Sequence, residues 1–501
     1  MVIGGRLWCA LLLLAFAAWG QGDGAPAESL EERVKRLEER ISQLEQALGL
    51  AEKRLQAVAE GTGGPEATTV NLDAETTVSL DKVALSKLAK VDELDQQIRV
   101  LARLRELDQE SAALRARETP QTLTGVDGFG FKSADGDFQL NMGGYIQADG
   151  RAFTGSGSSQ VDTFLLRRVR PVFQGVLYKH VAFRVIPDFG EGKAVLQDAY
   201  LELRYFPRMS IRAGKFKAPF GLERLQSGTD TMFVERGLPT DLVPNRDLGI
   251  QLAGNLVSTR LSYAFGVFNG TPDGGSVDID SNSGKDFVAR LFGTPFSGRG
   301  RLSFLSGLGL GFAVSSGTQD GALPSFKTPS QTTFFSYVSG ARAAGDRRRY
   351  SPQAYYYRGP FGLLAEFVRS NQTVENGGTS SVIANRSWQV AGSYVLTGEK
   401  ATFQRLSPQR VFDIGRRTWG AVELVARIGQ LNVDPEAFTL GFADPAKSAA
   451  RARSWGAGVN WYLNRSVKLS LDYENTKFKG GAAGGDRESE GAVFSRFQLV
   501  F

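Results

Sequence analysis

From about residue 137 to the end of the chain, apolar and polar side chains alternate with a period of two. Over 137–150, Phe138, Leu140, Met142, Gly144 and Ile146 fall on one side. Gln139, Asn141, Gly143, Tyr145, Gln147 and Asp149 fall on the other. Trp455, Ala457, Val459 and Trp461 oppose Gly456, Gly458, Asn460 and Tyr462 over 454–464. Val467, Leu469, Leu471 and Tyr473 oppose Lys468, Ser470, Asp472 and Glu474, and Val422, Leu424, Ala426 and Ile428 oppose Glu423 and Arg427. Segments of this kind predict strands with one apolar and one polar face.

Two architectures satisfy that pattern. In a sandwich the apolar faces meet in a dry core. In a membrane barrel they face lipid, and the polar faces line a lumen. The connections favour the barrel. Some are short, as at 463–465, and others are long, polar and glycine-rich: 271–284, 316–331, 371–384, 431–451 and 479–488. The final strand argues the same way. Val493, Phe497, Leu499 and Phe501 share one face, opposite Phe494, Arg496 and Gln498. A chain stopping inside an apolar strand leaves an exposed edge unless that strand closes on the first. Trp388, Trp419, Trp455 and Trp461 fall at or near predicted strand ends, as an interfacial girdle requires. At about 23 residues per strand and turn, residues 123–501 give roughly sixteen strands, enough for a water-filled channel.

Ahead of the strands the period changes. Leu30, Val34, Leu37, Ile41, Leu44, Leu48, Ala51, Leu55 and Val58 alternate spacings of four and three. That heptad predicts a coiled coil over 23–60. Residues 61–79 read as a linker containing Pro65, and 80–119 as a second helical segment, with Val91, Leu94, Ile98 and Leu101 keeping the spacing. The barrel is expected over 120–501. Arg6, an apolar run over 7–19 and the small residues after it predict a secretory signal peptide over 1–22, too short to span a bilayer. The one cysteine, Cys9, lies inside that run, so the exported chain has no disulfide. The expected class is an all-β membrane protein: a closed antiparallel transmembrane β-barrel of about sixteen strands behind a helical coiled coil.

Composition narrows the function. The net charge is +6 and the pI about 9.2. On an exported, strand-rich chain this points to anionic permeants rather than nucleic acid. His180 is the sole histidine, and no nucleophile–base pair, metal-ligand cluster or phosphate-cradling loop stands out. Neither an enzyme nor a cofactor is expected.

The segments FKSADGDFQLNMGGYIQADGR from Phe131, FLLRRVRPVFQG from Phe164, QDAYLELRY from Gln197 and RAGKFKAPFGLE from Arg212 carry a resemblance. So do RRYSPQAYYYRGPFGLLAEFVRS from Arg348, WQVAGSYVLTGE from Trp388, WGAGVNWYLNRSVKLSLDYE from Trp455 and the final SRFQLVF. In this order they resemble the phosphate-selective porin O and P family of Gram-negative outer membranes. The resemblance implies a homotrimer of sixteen-stranded barrels with anion-conducting pores. It implies phosphate, polyphosphate or chloride as permeants, outer-membrane lipid as surroundings, and a periplasmic coiled coil with the cell wall within reach. A purely structural tether acting through the coiled coil, with a non-specific pore, is the alternative.

An anion leaving water needs replacement charge along its path, and Arg suits phosphate through its planar fork. The candidates are Arg167, Arg168 and Arg170 on one predicted strand and Arg212, Lys215 and Lys217 on another. Alternation puts Arg168 with Arg170 and Lys215 with Lys217. Arg167 then faces lipid, at about 2–4 kcal/mol near the midplane, unless it lies at an interface or on a bulge. The resemblance matches Arg167 and Arg168 to a constriction pair, with both in the lumen. The competing reading for each is a lumen charge paired with a carboxylate, or an interfacial anchor. Arg347, Arg348 and Arg349 read as a cluster at a solvated mouth. The constriction is expected from loop 221–246 or loop 321–345. Tyr145 stands where phosphate-selective members often carry Arg, which weakens the expectation of strict phosphate specificity.

Overall fold

The computed structural model describes residues 46, 89–90, 92–111, 119–125, 128–154, 160–256, 260–280, 282–296 and 303–501. The predicted signal peptide and the 30–58 heptads lie outside the described residues, apart from Gln46. The chain divides into two units, Met1–Arg117 and Glu118–Phe501. In the first, residues 92–111 are helical, with Val100, Leu104 and Leu107 exposed along one stripe.

The second unit is a closed antiparallel barrel of sixteen strands. Its first eight are β1 (Phe138–Thr154), β2 (Thr163–Leu177), β3 (Val181–Asp188), β4 (Val195–Phe206), β5 (Met209–Lys217), β6 (Arg246–Leu256), β7 (Leu261–Phe268) and β8 (Asp286–Gly293). The second eight are β9 (Leu308–Gly321), β10 (Arg342–Arg358), β11 (Phe361–Asn376), β12 (Thr379–Val395), β13 (Ala421–Asn432), β14 (Ala449–Tyr462), β15 (Val467–Ala482) and β16 (Glu490–Val500). Each pairs with the next, and β16 returns to β1 from Gly491 opposite Thr154 to Val500 opposite Tyr145. The alternation sorts side chains as a lipid-facing barrel requires. Gln147, Asp149, Asp472, Glu474, Arg496 and Gln498 are buried inside, whereas Ile146, Leu424, Leu471 and Phe497 are exposed outside. Closure removes the edge that period-two strands would otherwise leave unpaired.

A small hairpin precedes the barrel. Gln121–Gly125 pairs with Gly128–Lys132, and the latter lies along Gln139–Met142 of β1. It covers the stretch of the β1 edge just below Phe501, whose N–H and carbonyl both pair with Gly144. The first of the sixteen barrel strands begins at Phe138, and the hairpin joins the same sheet ahead of it.

One end of the barrel carries short connections, at 178–180, 207–208, 359–360 and 463–466. The other carries the long ones, including 218–245, 269–285, 322–341 and 433–448. Two connections depart from the sequence reading. The expected loop over 371–384 is a two-residue hairpin, with Gly377 and Gly378 at φ +57° and +86°, the left-handed pair that a tight turn with strand-matched twist needs. Conversely, the connection 396–420 at the short-turn end is 25 residues long.

Candidate pore and constriction

Strand β5 hands the chain to a loop that turns into the lumen. Residues 218–245 are almost wholly buried, and Gly221 takes the positive φ of +77° that starts the short helix Leu222–Leu225. The loop is fastened to the far wall. The N–H groups of Leu222 and Glu223 donate to Glu366 on β11 at 2.6 and 3.1 Å. The Val234 N–H donates to Asp472 on β15 at 2.6 Å. Asn460 donates to the Met232 carbonyl at 2.8 Å and Gln389 to the Glu223 carboxylate at 2.8 Å. Arg427 on β13 bridges Glu223 at 3.5 Å, the Glu235 carbonyl at 3.0 Å and the Glu474 carboxylate. Glu366 and Asp472 of that wall accept directly from the loop, and Glu474 holds the Arg427 that bridges to it. Both loops expected to form the constriction fold inward: 218–245 crosses to β11, β13 and β15, and 322–341 reaches the far side too, with Thr328 on Glu490 of β16 and Phe334 against Phe478 of β15 at 6.2 Å.

What remains open against β2–β6 is a cavity of about 230 Å³. Arg167, Arg168, Arg170, Lys215 and Lys217 line it, as do Lys193, Arg224, Arg236 and Arg246. Asp188 and Glu191 are the acidic side chains in its wall. The sequence-predicted strands therefore converge on one chamber, with one exception. Arg212 lies outside it. Gly214, at φ +129°, lies between Arg212 and Lys215 in the unbroken strand β5. Arg212 turns to Glu202 at 3.0 Å, its guanidinium 4.3 Å above the Tyr200 ring.

Arg167 reaches the lumen through a bulge. Gln147 pairs with Arg168 and Ala148 with Leu166, so Arg167 is the extra residue. Its Nε donates to Glu235 at 2.5 Å, and its guanidinium also meets Glu191 at 2.8 Å. Arg168 donates to Gln147 at 2.6 Å, with Glu235 at 3.8 Å. Arg170 meets Asp188 at 2.7 Å and donates to the Tyr145 hydroxyl at 2.9 Å. Lys215 pairs with Asp278, and Arg246 with Asp198 at 2.7 Å.

A second group has a different character. Lys217 donates to the Gln226 carbonyl at 2.6 Å, Arg224 to the Thr240 carbonyl at 2.6 Å, and Arg236 to the Gln226 carbonyl at 2.8 Å. Among the described residues none of the three has a carboxylate within ion-pair distance. Burial and the neighbouring Arg236 push the Arg224 guanidinium down to about 9. Burial also lowers Arg236, against the opposing pull of Glu223. Glu235 behaves oppositely. Burial pushes its carboxyl up, but Arg167 and Arg168 pull it further down, and it ends well below the usual carboxylate range. The chamber thus holds three partly frustrated cations that a mobile anion would relieve. Arg224 and Arg236 escaped the sequence reading because alternation assigns faces only along strands, and both sit on the loop. Their presence within 221–246 was the available signal.

Arg349 corrects the expected solvated mouth. Positions 347 and 349 of β10 point inward, beneath the loop that follows β7. Arg349 is fully buried against Asp273 at 2.6 Å, Asp286 at 3.0 Å and the Thr271 carbonyl at 2.9 Å. Arg347 meets Asp286 at 2.7 Å. Arg348 faces outward and is exposed.

A closed sixteen-strand barrel, apolar outside, polar inside and narrowed by an inward loop, defines a porin of the Gram-negative outer membrane. The model of the family "Phosphate-selective porin O and P" matches residues 140–501, and the chain belongs to that family. Porin O of Pseudomonas aeruginosa is 24% identical over 405 residues, spanning 74% of this chain and 90% of that protein. Among solved structures, the outer membrane channel DcaP of Acinetobacter baumannii aligns with a TM-score of 0.50 at 11% identity, covering 74% of this chain and 99% of that one. An anion-selective porin from Comamonas acidovorans aligns with a TM-score of 0.46 at 12% identity, covering 73% of this chain and 100% of that one.

Proposed function

We propose that the chain gives small inorganic anions, phosphate and chloride among them, passive passage across the outer membrane. The observation that carries this is the chamber between loop 218–245 and β2–β6. Nine cationic side chains line it against two carboxylates. Lys217, Arg224 and Arg236 are held there by backbone carbonyls rather than by neutralising acids. In a narrow, low-dielectric passage such a charge excess repels cations and supplies anions with donors in place of water. The paired residues, Arg167, Arg168, Arg170 and Lys215, keep the wall positive and in place, and the three carbonyl-held cations meet the permeant.

Tyr145 leaves the first strand without a basic side chain at that height and instead accepts from Arg170. This supports a modest preference for phosphate over chloride. In the same reading the short-turn end faces the periplasm, the predicted coiled coil lies on that side, and three copies assemble. Crosslinking that stops at dimers would refute the trimer. Reversal potentials in planar bilayers, under gradients of potassium chloride and of potassium phosphate, test the pore. A potential of the cation-selective sign, or no single-channel steps, sinks the proposal.

A further inference from the structure

The connection 396–420 does two things. Its first part enters the barrel, where Phe403 stacks on Tyr355 with ring centroids 5.1 Å apart. Its second part, 409–419, leaves the lumen and folds over the outer rim. There Phe412 packs edge-on against Trp461 at 5.2 Å, and the Trp461 indole N–H donates to the Trp419 carbonyl at 2.6 Å. Trp461 lies on the outward face of β14, in phase with exposed Trp455 and opposite to the buried Asn460 and Tyr462. The Phe412 N–H donates to the Leu463 carbonyl at 2.7 Å, and Asp413 and Thr418 exchange backbone hydrogen bonds at 3.0 Å. The tip is therefore a built turn, continuous with the lipid-facing surface of the barrel.

The side chains that this turn presents are of two kinds. Val411, Ile414 and Trp419 are exposed, Ile414 to 81%. Arg410, Arg416 and Arg417 are exposed beside them. Arg416 approaches Asp413 at 3.6 Å, and Arg410 and Arg417 have no carboxylate within ion-pair distance among the described residues. Facing water, such a patch would leave apolar surface uncovered and charge uncompensated. At the boundary between acyl chains and headgroups both find partners: the apolar tips enter the chains, the indole sits at headgroup depth, and the guanidinium groups meet phosphate oxygens.

We propose that the tip 409–419 binds the headgroup of an acidic phospholipid in the leaflet at the short-turn end of the barrel. The charge balance of three arginines against one aspartate selects an anionic headgroup over a zwitterionic one.

The test uses the full chain, folded and purified in non-ionic detergent, exposed to equal amounts of phosphatidylglycerol and phosphatidylcholine. Retained lipid is counted by native mass spectrometry. Phosphatidylglycerol should be retained about five-fold over phosphatidylcholine, and the triple change Arg410→Gln, Arg416→Gln, Arg417→Gln should abolish that preference. Arg348→Gln, an exposed change at the other end, should preserve it. Equal retention of the two lipids by the unaltered protein, a comparison that needs no variant, overturns the proposal. So does an unchanged preference in the triple variant. Displacement of the retained lipid by millimolar glycerol phosphate would assign the patch to a soluble anion instead. A changed oligomeric state in the triple variant would assign it to a subunit contact. Either result overturns the lipid assignment.

Discussion

The Nε of Arg167 donates to the Glu235 carboxylate at 2.5 Å, joining the bulge on β2 to the middle of the loop that crosses the lumen. Glu235 also takes Arg151 at 2.9 Å and lies 3.8 Å from both Arg168 and Arg496. One buried carboxylate thus ties three strands to the constriction and neutralises part of its charge. Replacing Glu235 with Gln should act in two ways. The chamber becomes more positive, so anion preference rises. The loop loses its main ionic anchor, at a cost of about 3–5 kcal/mol for a broken buried network. Reversal potential should move further toward the anion limit while the urea midpoint of the folded barrel falls. A move toward cation preference would mean that Glu235 does not face the permeant's path.

The second prediction concerns pH. Burial raises the Asp241 carboxyl to about 7, the Lys327 N–H and Arg224 only partly opposing it. Between the ordinary carboxyl value near 3.8 and about 7, the folded barrel therefore binds a proton that the unfolded chain has released. Stability from this group is full at acid pH and is lost as pH rises through 7. Asp241→Asn should remove that slope and be more stable than the unaltered protein at pH 8. Urea unfolding at pH 5 and pH 8, read by the heat-dependent gel shift of the barrel, decides it. Parallel pH dependence in both proteins would show that Asp241 is not the group responsible.

The third concerns the turn that enters from the opposite end. The Gln226 side-chain amide donates to the Phe403 carbonyl at 2.7 Å, and Phe403 packs on Tyr355 and Tyr357. The inward loop is thereby supported from below. Phe403→Ala removes the stacked ring, at a cost of about 3 kcal/mol for a partly buried aromatic. The supported segment should then fluctuate, with larger single-channel conductance and more open-channel noise. Conductance identical to that of the unaltered protein would show that 396–408 does not brace the constriction.

Strand faces, barrel closure and the basic segments of β2 and β5 were legible because a period of two maps sequence directly onto orientation. The same rule flagged Arg167 as out of phase, and the bulge opposite Gln147 and Ala148 resolves that conflict. Loops obey no period. Arg224 and Arg236 therefore went unread, and Arg349 was assigned to water although Asp273 of the loop after β7 covers it. The 396–420 insertion was equally invisible, since its long sequence gives length but not direction. Arg212 stands three residues before Lys215 on the same unbroken strand, outside the chamber, and pairs with Glu202.

The last prediction separates chamber charge from surface charge. Arg236 lines the chamber, donates to the Gln226 and Glu223 carbonyls, and has no carboxylate partner among the described residues. Arg348 carries the same charge on the outer face of β10, is 70% exposed, and meets Asp346 at 3.0 Å. Two unit charges 4 Å apart interact by about 1 kcal/mol in bulk water, and by more in a narrow low-dielectric lumen. Exposed charge beyond a Debye length of about 8 Å is screened at physiological salt. Arg236→Gln should therefore reduce the anion-to-cation permeability ratio several-fold, whereas Arg348→Gln should leave it unchanged. The two reversal potentials, measured in the same chloride gradient, make the comparison free of protein-to-protein differences in insertion. If Arg348→Gln shifts the potential and Arg236→Gln does not, selectivity is set outside the chamber and the constriction assigned to loop 218–245 is wrong.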